Sequence, residues 1–337
     1  MAALIRSILR ERFYYGWVIV AVGFATEFVL VSLRFYGLSL FVKPMSADLG
    51  WSRAAISGVL SFGTVVEGLV APIVGPIIDK RGGRGLMIFG AIISGGAYIA
   101  LGLVQNLWDF YLLRGVVITI GIVCAGPLVI SVAISNWFIR GRGKAMSMSL
   151  MGVSLGGAVL TPNATYIILT YGWRAAWMVL GVVIWIVVIP LAALYMKRRP
   201  EDIGLLPDGD APSGDRGRAP VPCPLSPVPQ AEVIWTRREA MRTSALWLTI
   251  LAFGLSGMGG GAMGIHFFPF LTDLPISSAA AAAIFSGYAI AMTCLKPLWG
   301  FLIDKYNVRR VAIGSFAALA IMQAFLIALP LWPSFWL

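Results

Sequence analysis

The chain has 337 residues, of which 59% are hydrophobic and only 12% are charged, and its mean hydropathy is +0.86. Soluble domains carry about twice that share of charge, so the composition excludes an ordinary soluble protein. The net charge of +11 does not indicate nucleic-acid binding, because the basic residues fall in short segments between apolar runs, where membrane topology accounts for them. Cys124, Cys223 and Cys294 are far apart in the sequence and predict neither a disulfide framework nor a metal site.

Runs of about 20 apolar residues, each long enough to cross a bilayer as a helix, recur along the chain. They predict an all-α membrane protein with nine spans, at approximately residues 14–40, 54–78, 85–104, 109–134, 145–169, 175–196, 244–270, 277–303 and 311–331. Residues 197–243, between the sixth and seventh spans, are polar and rich in proline. We expect them to form a mobile linker, because such a composition cannot bury enough apolar surface to pack.

The predicted spans divide into a six-helix bundle in residues 1–196 and three helices in residues 244–337. A similar turn occurs in both parts: residues 75–85 read GPIIDKRGGRG, and residues 300–310 read GFLIDKYNVRR. Two copies of one turn between apolar runs indicate two related halves. A two-fold repeat requires three further spans after the ninth, so we expect a fragment of a twelve-helix protein or a natural truncation.

The distribution of basic residues predicts the orientation of the spans. When the N-terminus is placed in the cytoplasm, twenty of the 26 lysines and arginines lie in cytoplasmic segments, three lie in outer loops and three lie inside spans. We therefore expect a multi-pass protein of the cell membrane with its N-terminus and its linker in the cytoplasm.

The two similar turns each combine a glycine, an aspartate and basic residues. In the first turn, the carboxylate of Asp79 can meet the positive N-terminal end of a neighbouring helix or a basic residue, and the glycines allow helix ends to approach closely. One copy fits an ordinary positively charged cytoplasmic loop, but two copies at matching places favour a role in gating. The predicted gating residues are Gly75, Asp79, Lys80, Arg84, Gly300, Asp304 and Arg309.

The pattern Gly-x-x-x-Asp-Lys-x-Gly-x-Arg after the second span, echoed after the eighth, resembles the signature loop of the major facilitator superfamily. LGWSR at 49–53, WFIRGRGKA at 137–145, RPEDIGLLPDG at 199–209 and KPLWG at 296–300 are together similar to its monocarboxylate-porter and oxalate/formate-antiporter branch, in the bacterial form. The resemblance implies twelve helices in two six-helix bundles, around a central site that opens alternately to each side. It also implies small organic anions as substrates, often coupled to protons or exchanged for another anion.

A charge inside a span costs about 2.5–3.5 kcal/mol to insert, so each one indicates function or pairing. Lys296 lies eight residues before Asp304 in the eighth span, where the resemblance implies an arginine that binds the carboxylate of the substrate. A lysine keeps the charge but lacks the bidentate geometry of arginine; alternatively, it reaches the cytoplasmic face. The resemblance also implies an aspartate one turn earlier, but that position is Met292, so the implied carboxylate–cation pair is absent.

The other charges inside spans leave two interpretations open. Arg34 and Arg114 either hold an anion or reach the outer headgroups, and Glu27 and Glu67 either take a proton or pair with a neighbouring cation. His266, the single histidine, serves gating or proton handling, or is a structural residue at a helix end. The predicted substrate-binding residues are Lys296, Arg34 and Arg114, and the predicted proton-coupling residues are Glu27, Glu67 and His266.

Three functions are compatible with these features: a secondary transporter of small organic anions, a drug or metabolite exporter of the same superfamily, and a truncated remnant without transport. The sequence contains no nucleotide-binding loop, no metal-ligand cluster and no nucleophile–base set. It therefore predicts neither an ATP-driven pump nor an enzyme, and no cofactor, metal or nucleic acid. The expected partners are an organic anion, protons as a coupling ion, and the lipid bilayer.

Overall fold

The computed structural model describes residues 14–139, 141–209, 239, 241–257 and 278–328, and within them the regular elements are all helical. The helices are α1 Gly16–Leu49, α2 Arg53–Arg81, α3 Gly83–Leu101, α4 Leu107–Trp137, α5 Arg142–Tyr195, α6 Ser244–Gly257, α7 Ser278–Lys305 and α8 Val308–Ala328. Among the described residues, six helices are long and apolar enough to cross a membrane. The predicted all-α membrane fold is confirmed, while the count of nine spans and the side of the N-terminus stay predictions.

Local signals explain where α1 ends and α2 begins. Gly50 follows α1 with a φ of +69°, a left-handed conformation that glycine adopts without strain and that commonly ends helices. The hydroxyl of Ser52 accepts a hydrogen bond from the N–H of Ala55 at 3.1 Å, which satisfies one of the unpaired donors in the first turn of α2. α1 therefore continues beyond the predicted span of 14–40, as far as Leu49.

A glycine bends α5. Gly172 has φ +85° and ψ 163°, a backbone conformation that glycine can adopt because it has no Cβ. The bend divides α5 into arms of residues 142–171 and 173–195, and these arms correspond to the predicted fifth and sixth spans. Near the bend, Asp48 at the end of α1 accepts hydrogen bonds from the indole N–H of Trp173, at 3.1 Å, and from Arg174.

Small residues set the closest contacts between helices. A Cβ on Gly181 of α5 would lie 2.5 Å from the carbonyl oxygen of Gly95 on α3, and a Cβ on Gly152 of α5 would lie 3.0 Å from the amide nitrogen of Phe28 on α1. Such approaches increase the packing area between membrane helices, where no hydrophobic effect drives association. Large side chains fill the space around these contacts; fully buried examples are Leu30, Phe41, Ile56, Met87, Trp137 and Trp177.

The described residues fall into two compact units. One unit comprises 14–209 with 279–311, and the other comprises 239, 241–257 and 312–328. α7 thus packs within the first unit, although it follows the linker in the sequence. In the second unit, the rings of Phe253 and Phe316 meet edge to face with centroids 5.5 Å apart. The domain boundaries 1–196, 197–243 and 244–337 stay a prediction.

The first residues of the predicted linker make specific contacts with the helical bundle. The guanidinium of Arg198 donates to the carbonyl oxygen of Asp79 in the last turn of α2. The carboxylate of Asp208 accepts a hydrogen bond from the N–H of Ile139, after α4, at 3.0 Å. This part of the linker therefore contacts the end of α2 and the loop after α4. Residues 210–238 lie outside the described part of the chain.

Candidate functional site

Irregular helical turns carry three of the predicted site residues. π-helical turns interrupt α1 twice and α4 once, at Glu27–Val31, Leu33–Gly37 and Tyr111–Val117. Glu27, Arg34 and Arg114 each lie in one of these turns. A π-helical turn inserts an extra residue into the helix and shifts the faces on either side of it; such turns are rare and frequently occur at functional sites.

Arg34, Glu67 and Arg114 form one network between α1, α2 and α4. Arg34 and Glu67 are joined by an ion pair, and their side chains are 17% and 38% exposed. Arg114 is 3% exposed and donates from Nη2 to the carbonyl oxygen of Arg34 at 3.3 Å. The structure therefore brings together three residues that the sequence could predict only individually. Of the two interpretations of Glu67, pairing with a neighbouring cation is the one that the structure shows.

Glu27 is the most deeply buried of the predicted carboxylates, with 1% of its surface exposed. Neither of its side-chain oxygens has a hydrogen-bond partner among the described residues. It interacts electrostatically with Lys296 of α7. Within the described part of the chain, the carboxyl group of Glu27 therefore interacts with a cation through space but accepts no hydrogen bond.

A cavity of about 390 Å³ lies between α1, α2, α4 and α5. Its polar lining comes from Glu27, Glu67, Ser131 and Ser149, and no basic side chain occurs among the described lining residues. The rest of the wall is largely apolar and includes Ile122, Val123, Leu128, Ile134 and Met146. A pocket with an apolar wall and a few polar groups is typical of sites for small molecules.

Lys296 is half-buried and contacts a residue that lines this cavity. Its ammonium donates to the carbonyl oxygen of Leu150 and to the hydroxyl of Ser154, each at 2.7 Å, and Leu150 itself lines the cavity. Both acceptors are uncharged, and within the described residues no carboxylate is hydrogen-bonded to this ammonium. Met292, one turn earlier, is exposed.

The second signature turn joins the end of α7 to the beginning of α5. Asp304 accepts hydrogen bonds from the N–H groups of Gly143 and Lys144, at 2.7 and 2.8 Å. Those N–H groups belong to the first turn of α5 and have no partner within their own helix, and the helix dipole there favours a carboxylate. Gly300 permits the approach, because a Cβ on it would lie 2.6 Å from the carbonyl oxygen of Gly143.

The first signature turn is more open. Asp79, Lys80 and Arg84 are exposed, and a Cβ on Gly75 would have no described atom within 4 Å. The carboxylate of Asp79 has no partner in the described part of the chain. The two turns thus share a sequence pattern but differ in their surroundings.

The remaining predicted residues add little to the geometry. Arg309, at the start of α8, is exposed, and its backbone N–H donates to the side-chain oxygen of Asn307 at 2.9 Å. His266 lies outside the described residues. In contrast, Ser149 and Ser154 were not predicted as site residues from the sequence. The alternation of serines and glycines in SMSLMGVSLGG at 147–157 is the signal that could have found them.

Comparisons with known proteins agree with this architecture. The model of the Major Facilitator Superfamily matches residues 24–337. The oxalate:formate antiporter of Oxalobacter formigenes is 24% identical over 290 residues, which are 83% of this chain and 62% of that protein. Monocarboxylate transporter 11 of Mus musculus is 24% identical over 297 residues, 86% of this chain and 60% of the relative. The fujikurins efflux protein of Gibberella fujikuroi is 33% identical over 117 residues, 33% of this chain and 25% of that protein.

The chain spans less than two thirds of the length of each of these relatives. The family match, together with the apolar helices, confirms the prediction of a multi-pass protein of the cell membrane. The resemblance first indicated by the two signature turns is confirmed as well, because an oxalate:formate antiporter and a monocarboxylate transporter are among the relatives.

Proposed function

Because the chain belongs to the major facilitator superfamily, we propose that it is a secondary transporter of small organic anions, in particular monocarboxylates, and not an enzyme. Alternating access of the cavity to the two sides of the membrane would move the substrate without a cofactor. The observation that carries the proposal is that the ammonium of Lys296 donates to Leu150, a residue of the cavity lining, and to Ser154. Both acceptors among its described contacts are uncharged oxygens.

The chemistry of this ammonium suits a carboxylate. A lysine ammonium has three N–H donors, and Lys296 uses two of them on uncharged acceptors, so one donor and the net charge are available. A hydrogen bond between an ammonium and a carboxylate is assisted by charge and is about twice as strong as one between neutral groups. Lysine acts as a flexible point charge, so carboxylates of different shapes would be accepted.

The signature turns would act as gates. Asp304 closes one end of the contact between α5 and α7, and its release from Gly143 and Lys144 would let α7 move away from α5. The first turn, with Gly75, Asp79, Lys80 and Arg84, would act on the same side of the membrane, together with Arg309. The network of Arg34, Glu67 and Arg114 would guide the anion from the opposite side, because Arg34 lies 18 residues along α1 from Gly16, a rise of about 27 Å.

The test is uptake of labelled lactate, formate or oxalate by cells that produce the complete protein. Lys296→Ala should abolish uptake while leaving the amount of protein in the membrane unchanged, because the positive charge that holds the anion is removed. Lys296→Arg keeps that charge and should retain uptake. Lys43→Ala is the matched control, since Lys43 is exposed on α1. Undiminished uptake by Lys296→Ala would contradict the proposal.

The second candidate function is export of drugs or apolar metabolites. It is favoured by the cavity lining, because Glu27 and Glu67 contribute carboxylates to it and no described lining residue is basic. Such a lining suits a neutral or cationic apolar compound. A competition assay separates the two functions: lipophilic cations should compete for an exporter, whereas short carboxylates should compete for the anion transporter.

A further inference from the structure

The carboxyl group of Glu27 lacks the contacts that a buried carboxylate needs. It is 1% exposed, and neither oxygen has a hydrogen-bond partner in the described residues. Burying an ionised carboxylate without a partner is costly, and a proton or a nearby cation relieves that cost. The group also lines a cavity of about 390 Å³, far larger than the space that one water needs, so water can bring protons to it.

Among the described residues, few charged groups lie near Glu27. Lys296 of α7 interacts with it electrostatically. Glu67 of α2 lines the same cavity but is paired with Arg34. The described residues that α4 and α5 contribute to the lining include no titratable side chain. Within the described part of the chain, Lys296 is therefore the cation that can neutralise Glu27. In this structure its hydrogen bonds go to Leu150 and Ser154 of α5 instead.

We propose that Glu27 is the proton-binding site of this transporter, and that a proton and Lys296 take turns in neutralising it. When an anion occupies Lys296, Glu27 carries a proton taken up from water on the side to which the cavity is open. When the anion leaves, the ammonium of Lys296 turns to Glu27, which releases its proton to the water on that side. A single O–H bond forms and breaks in each cycle, so one proton accompanies each anion. The inference rests on the proposed function.

This arrangement explains how an anion can enter a cavity lined by two carboxyl groups. A protonated Glu27 removes one negative charge, and the pairing with Arg34 neutralises the other, on Glu67. In this arrangement, protons and anions are coupled through Glu27 of α1 and Lys296 of α7. A carboxylate of α1 is needed for this because α7 has Met292, and not an acidic residue, one turn before Lys296.

The experiment uses the complete protein in liposomes that contain a pH-sensitive dye. An imposed gradient of lactate or oxalate should move protons in the wild type. In Glu27→Gln, proton movement should fall to the level of protein-free liposomes, while exchange of labelled for unlabelled anion persists, because the amide imitates the protonated acid. Glu67→Gln is the matched control. Its rate of transport can differ, but the number of protons that it moves per anion should equal that of the wild type. Wild-type proton movement in Glu27→Gln would overturn the proposal.

A second measurement does not depend on transport. Infrared difference spectra recorded as the pH is changed should contain a carbonyl-stretch band of a protonated carboxylic acid that is specific to Glu27: it should be missing from the spectrum of Glu27→Gln and shifted in that of Glu27→Asp. A missing band would overturn the proton site. If the band is present but no labelled anion moves, the proposed anion transport fails while the proton site stands.

Discussion

At the residue scale, charged side chains inside the spans are paired with charged or polar groups of neighbouring helices. Arg34 of α1 is paired with Glu67 of α2, and Arg114 of α4 donates to the backbone of Arg34. Each contact reduces the cost of a charge away from water. The carbonyl of Arg34 lies within a π-helical turn, where the usual hydrogen-bond pattern of the helix changes, and the guanidinium of Arg114 uses it as an acceptor.

The ion pair of Arg34 and Glu67 predicts non-additive effects of mutation. Arg34→Gln and Glu67→Gln should each lower the thermal stability of the purified protein, because each leaves one charge without its partner. The double variant should be more stable than the sum of the two effects implies, by a coupling energy of about 0.5–3 kcal/mol. Unfolding midpoints of the four proteins in one detergent give this energy. Strictly additive losses would mean that the pair does not form.

The sequence could nominate these residues but could not pair them. A charge inside an apolar run is visible at once, and Lys296, Glu27, Arg34, Glu67 and Arg114 were all predicted as site residues on that basis. Which of them meet depends on how each helix is rotated, and the π-helical turns shift that rotation by an inserted residue. A run of apolar residues carries no sequence signal for such a turn. The network of Arg34, Glu67 and Arg114, and the lack of a hydrogen-bond partner for Glu27 among the described residues, are therefore visible only in the structure.

At the scale of elements, the contact between α5 and α7 is the feature that gating would have to change. Gly300 faces Gly143, and Asp304 accepts from the first N–H groups of α5. Two glycines bring the backbones together, and a carboxylate then reaches the positive end of the helix. The sequence predicted such a contact with a helix N-terminus for Asp79 of the first turn. Among the described residues it is Asp304 of the second turn that makes one, and the gating role of both turns stays a prediction.

A methyl group at Gly300 should weaken this contact. In Gly300→Ala the Cβ would lie 2.6 Å from the carbonyl oxygen of Gly143, so α7 must move away from α5. A cysteine introduced at Ser147, in a background without native cysteines, should then react faster with a maleimide. Gly314→Ala is the control, because no described atom lies within 4 Å of its Cβ position, and its labelling rate should match that of the parent. Equal rates in Gly300→Ala and the parent would show that the contact tolerates a methyl group.

Other elements follow directly from local sequence signals. The bend at Gly172 lies between the predicted fifth and sixth spans, and Gly50 with Ser52 separates α1 from α2, because glycine and serine have clear roles at helix ends. The packing of α7 with the first unit could not be predicted, since hydropathy defines where a span lies in the sequence but not which helices it contacts.

At the scale of the whole molecule, the membrane explains the surface. Large apolar side chains are exposed on the described helices, including Leu69, Trp108 and Leu169, and such a surface suits lipid rather than water. Composition and the two signature turns were sufficient to predict the fold class and the superfamily. They were not sufficient to predict the substrate, because one fold supports many functions and specificity depends on a few residues in the site.

The most direct test of the account is anion counterflow with the complete protein in liposomes. Vesicles loaded with unlabelled lactate, formate or oxalate are diluted into a trace of the same labelled anion. For an anion transporter we expect that label accumulates transiently, that Lys296→Ala abolishes this accumulation, and that an excess of tetraphenylphosphonium does not compete. Exchange of labelled tetraphenylphosphonium without exchange of any of the three anions would contradict anion transport and favour the exporter.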